Sequence, residues 1–451
     1  MIPNTSYNEA MRVLLAGLLV TGLAAVLGCG KSVSGEFARV AAELPTVEAE
    51  AKRLGVPLTG TELMPQTPIP TNENAVLIVA EAVLEYAKVE RQLGKWQDAL
   101  TTSVASPSNA NRKRADDILR KLAPILRKAT EAAAKPKAWF NRDWNRDDLW
   151  NETFPELAGI RDLTRGLAMR GKVRAARGDV RGALSDFRSA FAMGRIAASD
   201  PSLISGLVSI ACDAIVTRQM EWAVSARPND IAFLTALGKL AANEASRPPD
   251  LMSHLRGEVL FALAAARRPE ALLDAELSGL DGPDEQLRRE VIPRGVPKDM
   301  LAKAYRVRIL QVWNTVFADR AAKRNPVTLT TAIARAQEKY GEKGDPTTAL
   351  NRHVFPVFDQ AGMAYVKRQS LLLAFKGFID VLRFMARKGR FPTSLAEAGS
   401  TSLDPLSGKP FVLKITGNQV RVYGPGVDGV DDGGSATKDV VSEFPLIANP
   451  R

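Results

Sequence analysis

From Gly35 to Gly389 the chain reads as one helical pattern after another, broken at short intervals by Pro, Gly or Asp. Apolar residues recur three and four positions apart, the period of a helix with one buried face. Asn74 to Gln92 carries Val76, Ala80, Val83 and Ala87 in one stripe, and Arg112 to Ala134 carries Ile118, Leu122, Ile125 and Ala129. Pro124 lies inside the second pattern and predicts a kink or a split, because proline has no N–H to donate. Further helices are expected near 160–177, 180–198, 202–226, 229–246 and 250–267, punctuated by Asp179, Pro201, Pro228 and Pro248-Pro249. Pro57 to Pro70 reads as an extended connector, and Gly279 to Pro297 as a loop. Helices near 298–322, 328–340 and 357–388 follow. Short turns between helices make antiparallel hairpins, so a mostly α fold with a helical-hairpin body is expected.

Composition narrows the chemistry. The chain has two Cys and two His, which rules out a zinc finger, a disulfide scaffold and a His-rich metal site. Hydrophobic residues at 45% and charged residues at 25% are globular values, and they exclude wholesale disorder and a multi-span membrane protein. Net charge is +11. Basic residues gather from Arg112 to Lys137 and from Lys298 to Lys343, with acids interleaved, as on solvated helix faces.

Residues 1–28 read as a leader. Arg12 precedes an almost unbroken apolar run from Val13 to Leu27. A membrane-spanning helix needs about 20 apolar residues, so this run is shorter and suits a secretory h-region. Met11 offers an alternative start. The run ends in Val26-Leu27-Gly28-Cys29, which resembles the lipobox of bacterial lipoproteins. The resemblance implies diacylation of Cys29 on sulfur, cleavage before it, and acylation of the freed amine. The alternatives are an uncleaved signal anchor or a plain secretory peptide. Gly30 follows Cys29 where an inner-membrane retention signal would place Asp, so the outer membrane is favoured. The same stretch, Gly28-Cys29-Gly30-Lys31-Ser32, looks like the end of a P-loop, but Ala25 stands where that motif needs its first Gly. Arg12 and Glu9 cancel within the leader, so the mature chain stays basic and would be drawn to anionic lipid or acidic wall polymer. Export argues against nucleic acid. Cys212 sits in an apolar helical run and reads as a buried, inert thiol.

Within the body, Leu167, Gly171, Gly178, Ala183, Phe187 and Ala190 stand where tetratricopeptide repeats place their small and large packing residues. The segment therefore resembles one such hairpin, although the closing Pro is absent and Arg174 replaces an apolar residue. Val83, Tyr86, Ala87, Gly94, Trp96 and Ala99 repeat the pattern in outline. The resemblance implies a protein-binding scaffold, and a generic helical bundle is the alternative. Trp139, Trp144 and Trp150 bracket a segment rich in Asn, Asp and Arg, so they are candidate glycan-stacking residues, or else anchors of a loop.

Composition changes after Gly389. Leu371, Phe375, Phe378, Leu382 and Met385 form one stripe on a long helix. Then come Gly389-Arg390-Phe391-Pro392-Thr393, the turn Asp404-Pro405-Leu406-Ser407-Gly408-Lys409-Pro410-Phe411, and the alternating runs Phe411/Leu413/Ile415 and Val420/Val422 around a hairpin at Thr416-Gly417-Asn418. A loop rich in Gly and Asp ends the series. This order resembles the C-terminal head of the major pseudopilin of type II secretion. The resemblance implies a small α+β module and makes Asp428, Asp431 and Asp432 candidate calcium ligands. Lys367, Arg368, Lys376, Asp380 and Arg383 on the long helix exclude a membrane span and hence assembly as a pilin. The expected organisation is a signal peptide over 1–28, an anchored segment and connector over 29–73, a helical body over 74–356 and a pseudopilin-like module over 357–451.

No local catalytic constellation is visible. His254 and His353 lack neighbouring motifs, and the pairs Asp116/Asp117 and Asp147/Asp148 are adjacent, so on a helix they point about 100° apart. The expectation is a non-enzymatic, lipid-anchored envelope protein that binds protein partners. A glycan-binding protein or hydrolase of the envelope, or an accessory protein of a secretion system, is the alternative.

Overall fold

The computed structural model describes residues 32–277, 285–319, 325–342, 344–355, 358–416, 419–426, 430–435 and 440–443; for 275–277, 285–286, 353, 358–360 and 440–443 this is the main chain alone. The leader and Cys29 lie outside the described residues. The protein is mostly helical, with a small antiparallel sheet near its C-terminus.

Many of the helices begin where the chain supplies a capping oxygen. Ser32 caps α1 (Val33–Ala41), which is followed by α2 (Leu44–Leu54). Asn74 caps α3 (Ala75–Leu93), and α4 (Trp96–Ala105) follows. Ser108 caps α5 (Asn109–Ala133), Asp179 caps α7 (Val180–Ala197), Ser202 caps α8 (Leu203–Ala226), Asp230 caps α9 (Ile231–Ala245) and Asp250 caps α10 (Leu251–Arg267). Each side chain takes a hydrogen bond from an N–H of the first turn, which would otherwise be unpaired. Of the breakers in the sequence, Asp179 is itself a cap, and Pro201, Pro228 and Pro249 each stand one or two residues before one. Between α5 and α7 lies α6 (Pro155–Ala176), with Pro at its first position. The remaining helices are α11 (Pro269–Leu277), α12 (Glu285–Val291), α13 (Lys298–Ala318), α14 (Pro326–Tyr340), α15 (Ala349–Val354) and α16 (Phe358–Lys388).

Several expectations need adjustment. Pro124 does not split α5, which runs unbroken from Asn109 to Ala133. Its ring lies on the exposed side, while Leu122, Ile125 and Leu126 are buried and hold the helix in the core across the missing hydrogen bond. The expected loop over 279–297 contains α12, whose Val291 is buried and whose carbonyl accepts from the Tyr305 hydroxyl. The connector 57–70 includes a 3-10 turn, Gly60–Leu63, closed by a reciprocal capping box between Thr59 and Glu62.

Two apolar clusters organise the interior. The first joins α3 to α9 with the C-terminal half of α16 and with Leu395, Phe411, Val420 and Val422. The second joins α1, α2 and α10 to α15 with Trp144, Leu149, Leu203, Ala361 and Tyr365. These clusters do not follow the boundaries expected at 73/74 and 356/357. Phe37 of α1 meets Tyr305 of α13 edge-on at 5.7 Å, and Asn314 of α13 donates to the Val47 carbonyl of α2 at 3.1 Å. Helix α16 belongs to both clusters. So does α8, whose Val208, Cys212 and Val216 face the first while Leu203, Leu207 and Ile210 face the second. Helix α8 has the length and hydropathy of a membrane span, but half of its apolar window is buried inside the protein, where it works as a core helix.

The sheet has the order β1 (Val412–Thr416), β2 (Gln419–Gly424), β3 (Val440–Glu443), all antiparallel. Val412 pairs with Tyr423 and Ile415 with Val420, and the ladder closes at Thr416 opposite Gln419. The expected hairpin is present, and the sheet lies on α16: a Cβ added to Gly377 would sit 3.3 Å from Val422. The opposite side of α16 meets α9, where Ile379 occupies the space left by Gly238. Consequently α16 is buried on both sides, with Leu372, Ala374, Ile379 and Val381 inside as well as Phe375, Phe378 and Leu382. Leu371, expected in a single stripe, is only half-buried.

Candidate functional site

Where the two apolar clusters meet, the chain from Ala198 to Gly206 is gripped by polar groups from three other segments. Asp200 and Ser202 lie in the tight connection between α7 and α8. Arg142, in the segment between α5 and α6, donates to Asp200 Oδ2 at 2.7 Å, to Glu152 Oε1 at 3.2 Å and to Glu156. Its guanidinium also lies 4.2 Å from the ring centre of Phe154. Arg146 takes the other Glu152 oxygen at 2.6 Å. Ser205 donates to Asp200 Oδ2 at 3.2 Å and accepts from Ser202 at 2.7 Å.

From α10, Glu258 accepts from the Leu203 N–H at 2.9 Å, completing the cap of α8. His254 is 2.8 Å from the Ala198 carbonyl through Nε2 and 2.6 Å from the Tyr365 hydroxyl through Nδ1. A carbonyl can only accept, so Nε2 carries a proton. Burial holds the imidazole below its ordinary pKa, and in its neutral form Nδ1 accepts from the Tyr365 hydroxyl. Two glycines permit the approach: a Cβ at Gly206 would collide with the Tyr365 hydroxyl and one at Gly257 with the Pro201 carbonyl.

This is a dry knot. Asp200, Ser202 and Ser205 are fully buried, and His254, Tyr365 and Trp144 are 1% exposed. Burial pushes Asp200 up, against the pull of Arg142, and Glu152 pushes it further. Asp200 Oδ1 and the Trp144 indole N–H have no hydrogen-bond partner among the described residues. Three carboxylates around Arg142, one of them also held by Arg146, leave the knot acidic. Its chemistry suits holding segments together in a fixed register, as buried polar groups do when their alternatives are worse.

Glu258 gives the knot a pH dependence. Burial pushes its carboxyl from about 4.5 up to about 7, against the Leu203 N–H bond that lowers it. The folded protein thus holds a proton more tightly than the unfolded chain. The associated stability is present below about pH 4.5 and is lost as the pH rises through about 7. The full shift corresponds to a cost of about 3 kcal/mol for the ionised form. Glu258→Gln keeps the accepting oxygen without the charge. We expect it to raise the melting temperature at pH 8 and leave it nearly unchanged at pH 4, as measured by scanning calorimetry at both values.

Asn74, besides capping α3, brackets the main chain of Trp139 with two hydrogen bonds of 3.0 Å. The Trp144 ring is buried edge-on to Phe261 at 5.8 Å, and Trp150 packs half-buried on the second cluster. Trp144 has no open ring face to stack on a sugar. Asp431 Oδ1 accepts from the Tyr423 hydroxyl at 2.9 Å and from the Gly433 N–H at 2.8 Å. Asp432 is half-buried nearby, and Asp428 lies outside the described residues. Among the described residues no group of three His, Cys, Asp or Glu is placed to hold a metal ion. Cys212 is buried, its thiol pushed up to about 12 chiefly by burial, which makes it an unreactive packing group. The His353 side chain lies outside the described residues. The adjacent acid pairs diverge: Asp116 binds Arg177 at 2.5 Å and Asp117 binds Arg120 at 3.2 Å, while Asp147 binds Arg267 and Asp148 binds Arg146.

No family model, curated protein or solved structure matches the chain. The reading of function rests on the chain itself.

Proposed function

We propose that the protein is a lipid-anchored component of a bacterial cell envelope, held by acylated Cys29, whose helical body is a rigid scaffold for protein partners. The observation that carries this reading is the short apolar leader ending in Gly28-Cys29 directly ahead of the helical chain. The closed polar knot supports the scaffold half of the reading, because its buried acids and histidine fix segments rather than face a ligand. Net charge of +11 suits a body held close to anionic headgroups or acidic partners. Gly30 after Cys29 favours the outer membrane.

Cys29→Ser tests the anchor. Unprocessed precursor, or mature protein released into the soluble fraction, is the expected result. Unchanged processing together with unchanged membrane partition would remove the anchor from the reading. A second reading, an accessory role in a secretion apparatus, draws on the long helix followed by an antiparallel sheet, the order expected of a pseudopilin-like tail. Crosslinking in intact cells followed by membrane pulldown separates the two: envelope partners at large support the scaffold, and enrichment of secretion components supports the accessory role.

A further inference from the structure

The interval between the anchor and the body is very short. Cys29 and Ser32 are three residues apart, and an extended chain spans at most about 3.3–3.6 Å per residue, so their Cα atoms are at most about 11 Å apart. From Ser32 onward the chain has no slack. The Ser32 hydroxyl caps α1, accepting from the Gly35 N–H at 3.1 Å. Phe37 and Val40, both fully buried, clamp that helix to the second core cluster. A lipidated cysteine sits at the boundary of acyl chain and headgroup, and the headgroup layer on one side of a bilayer is about 5–7 Å deep. The start of α1 must then lie in or just above that layer.

The exposed chemistry agrees. Val33, the first residue of α1, is 42% exposed. Lys31 precedes it in sequence, and Glu36 shares its turn, so the charge at this end is mixed. An exposed apolar residue at the point where the tether meets the body fits an interfacial surface.

Resting on the reading of Cys29 as the lipid anchor, we propose that the N-terminal end of α1, with Val33 exposed on it, is the face on which the body lies against the phospholipid headgroup layer. The short tether thereby holds this end of the body at the membrane surface.

The test uses the full lipidated protein in vesicles of phosphatidylcholine and phosphatidylglycerol carrying a headgroup-attached nitroxide quencher. A fluorophore is placed at Val33→Cys or, for comparison, at Leu84→Cys, which is 65% exposed on α3. Buried Cys212 does not compete for the label. We expect loss of emission at position 33 and none at 84. Inserting about a dozen Gly/Ser residues between Lys31 and Ser32 lengthens the tether by roughly 20 Å and should restore emission at 33 while the protein still sediments with vesicles. Vesicle-bound protein with no quenching at 33, equal quenching at 84, or quenching at 33 unaffected by the insert would overturn the orientation while leaving the anchor intact. Mass spectrometry showing no acyl group on Cys29 would overturn both.

Discussion

Replacing Arg142 by Met should cost about 3–5 kcal/mol, the loss found when one partner of a buried ion pair is removed and the other stays. Asp200 is fully buried, and Arg142 is the one cation that reaches it among the described residues. Met keeps much of the apolar stem but loses the guanidinium with its contacts to Phe154, Glu152 and Glu156. Without the guanidinium, the Asp200 carboxylate keeps the Ser205 hydroxyl, and its pKa must rise further above that of the unfolded chain. The sign follows: the penalty is largest at neutral pH and shrinks as acid protonates Asp200. Pairing Arg142→Met with Asp200→Asn should recover a large part of the loss, because both charges are then gone and the Ser205 bond can persist. Urea unfolding of the four proteins of this cycle measures the coupling. A single variant with unchanged unfolding midpoint at pH 7 would show that the knot does not hold the two clusters together.

The knot also marks the limit of what one sequence reveals. Helices were legible because their signals are local: apolar spacing and a capping oxygen lie within one or two turns. The β1–β2 hairpin was legible for the same reason, and its two strands pair with the two expected alternating runs facing each other. Arg142, Asp200, His254 and Tyr365 carry no such signal. They come from four segments spread over about half of the chain, and each reads alone as an ordinary charged or aromatic residue. Asp200 lay beside a breaker, and Arg142 lay in a segment whose tryptophans drew attention instead. Arg368 is a similar case. On α16 it reads as a charge that forbids a membrane span, yet it is 4% exposed and pairs with buried Asp213 of α8. Burial pushes Asp213 up to about 6 despite that arginine. A long helix with several charges can be an interior helix when its charges find partners on a neighbour, and periodicity does not show which neighbour that is. The single stripe on α16 misled for a related reason: packing on both α9 and the sheet buries residues that a one-sided amphipathic pattern leaves outside.

The hairpin of α6 and α7 yields the other large effect. Phe187 is fully buried, and a Cβ built on Gly171 would lie 2.9 Å from its ring. Glycine at 171 therefore makes the room that the ring fills. Gly178, at φ 92°, makes the left-handed turn between the helices. Phe187→Ala should cost about 3–5 kcal/mol, the transfer free energy of the ring plus a cavity term of about 24 cal/mol per Å³ left empty. The arrangement also predicts an interaction between the two positions. In the parent protein Gly171→Ala should destabilise, since the new methyl group meets the ring, the Ala183 carbonyl at 3.2 Å and the Asp186 Cβ at 3.2 Å. In the Phe187→Ala background the ring is gone, the methyl group enters vacated space, and alanine is the better helix former by about 1 kcal/mol. The second substitution should then be harmless or stabilising. Thermal unfolding of the single and double variants reads this change of sign. Equal effects of Gly171→Ala in both backgrounds would mean that Gly171 and Phe187 do not form the contact that closes the hairpin, and that the small-to-large pairing between α6 and α7 has another basis.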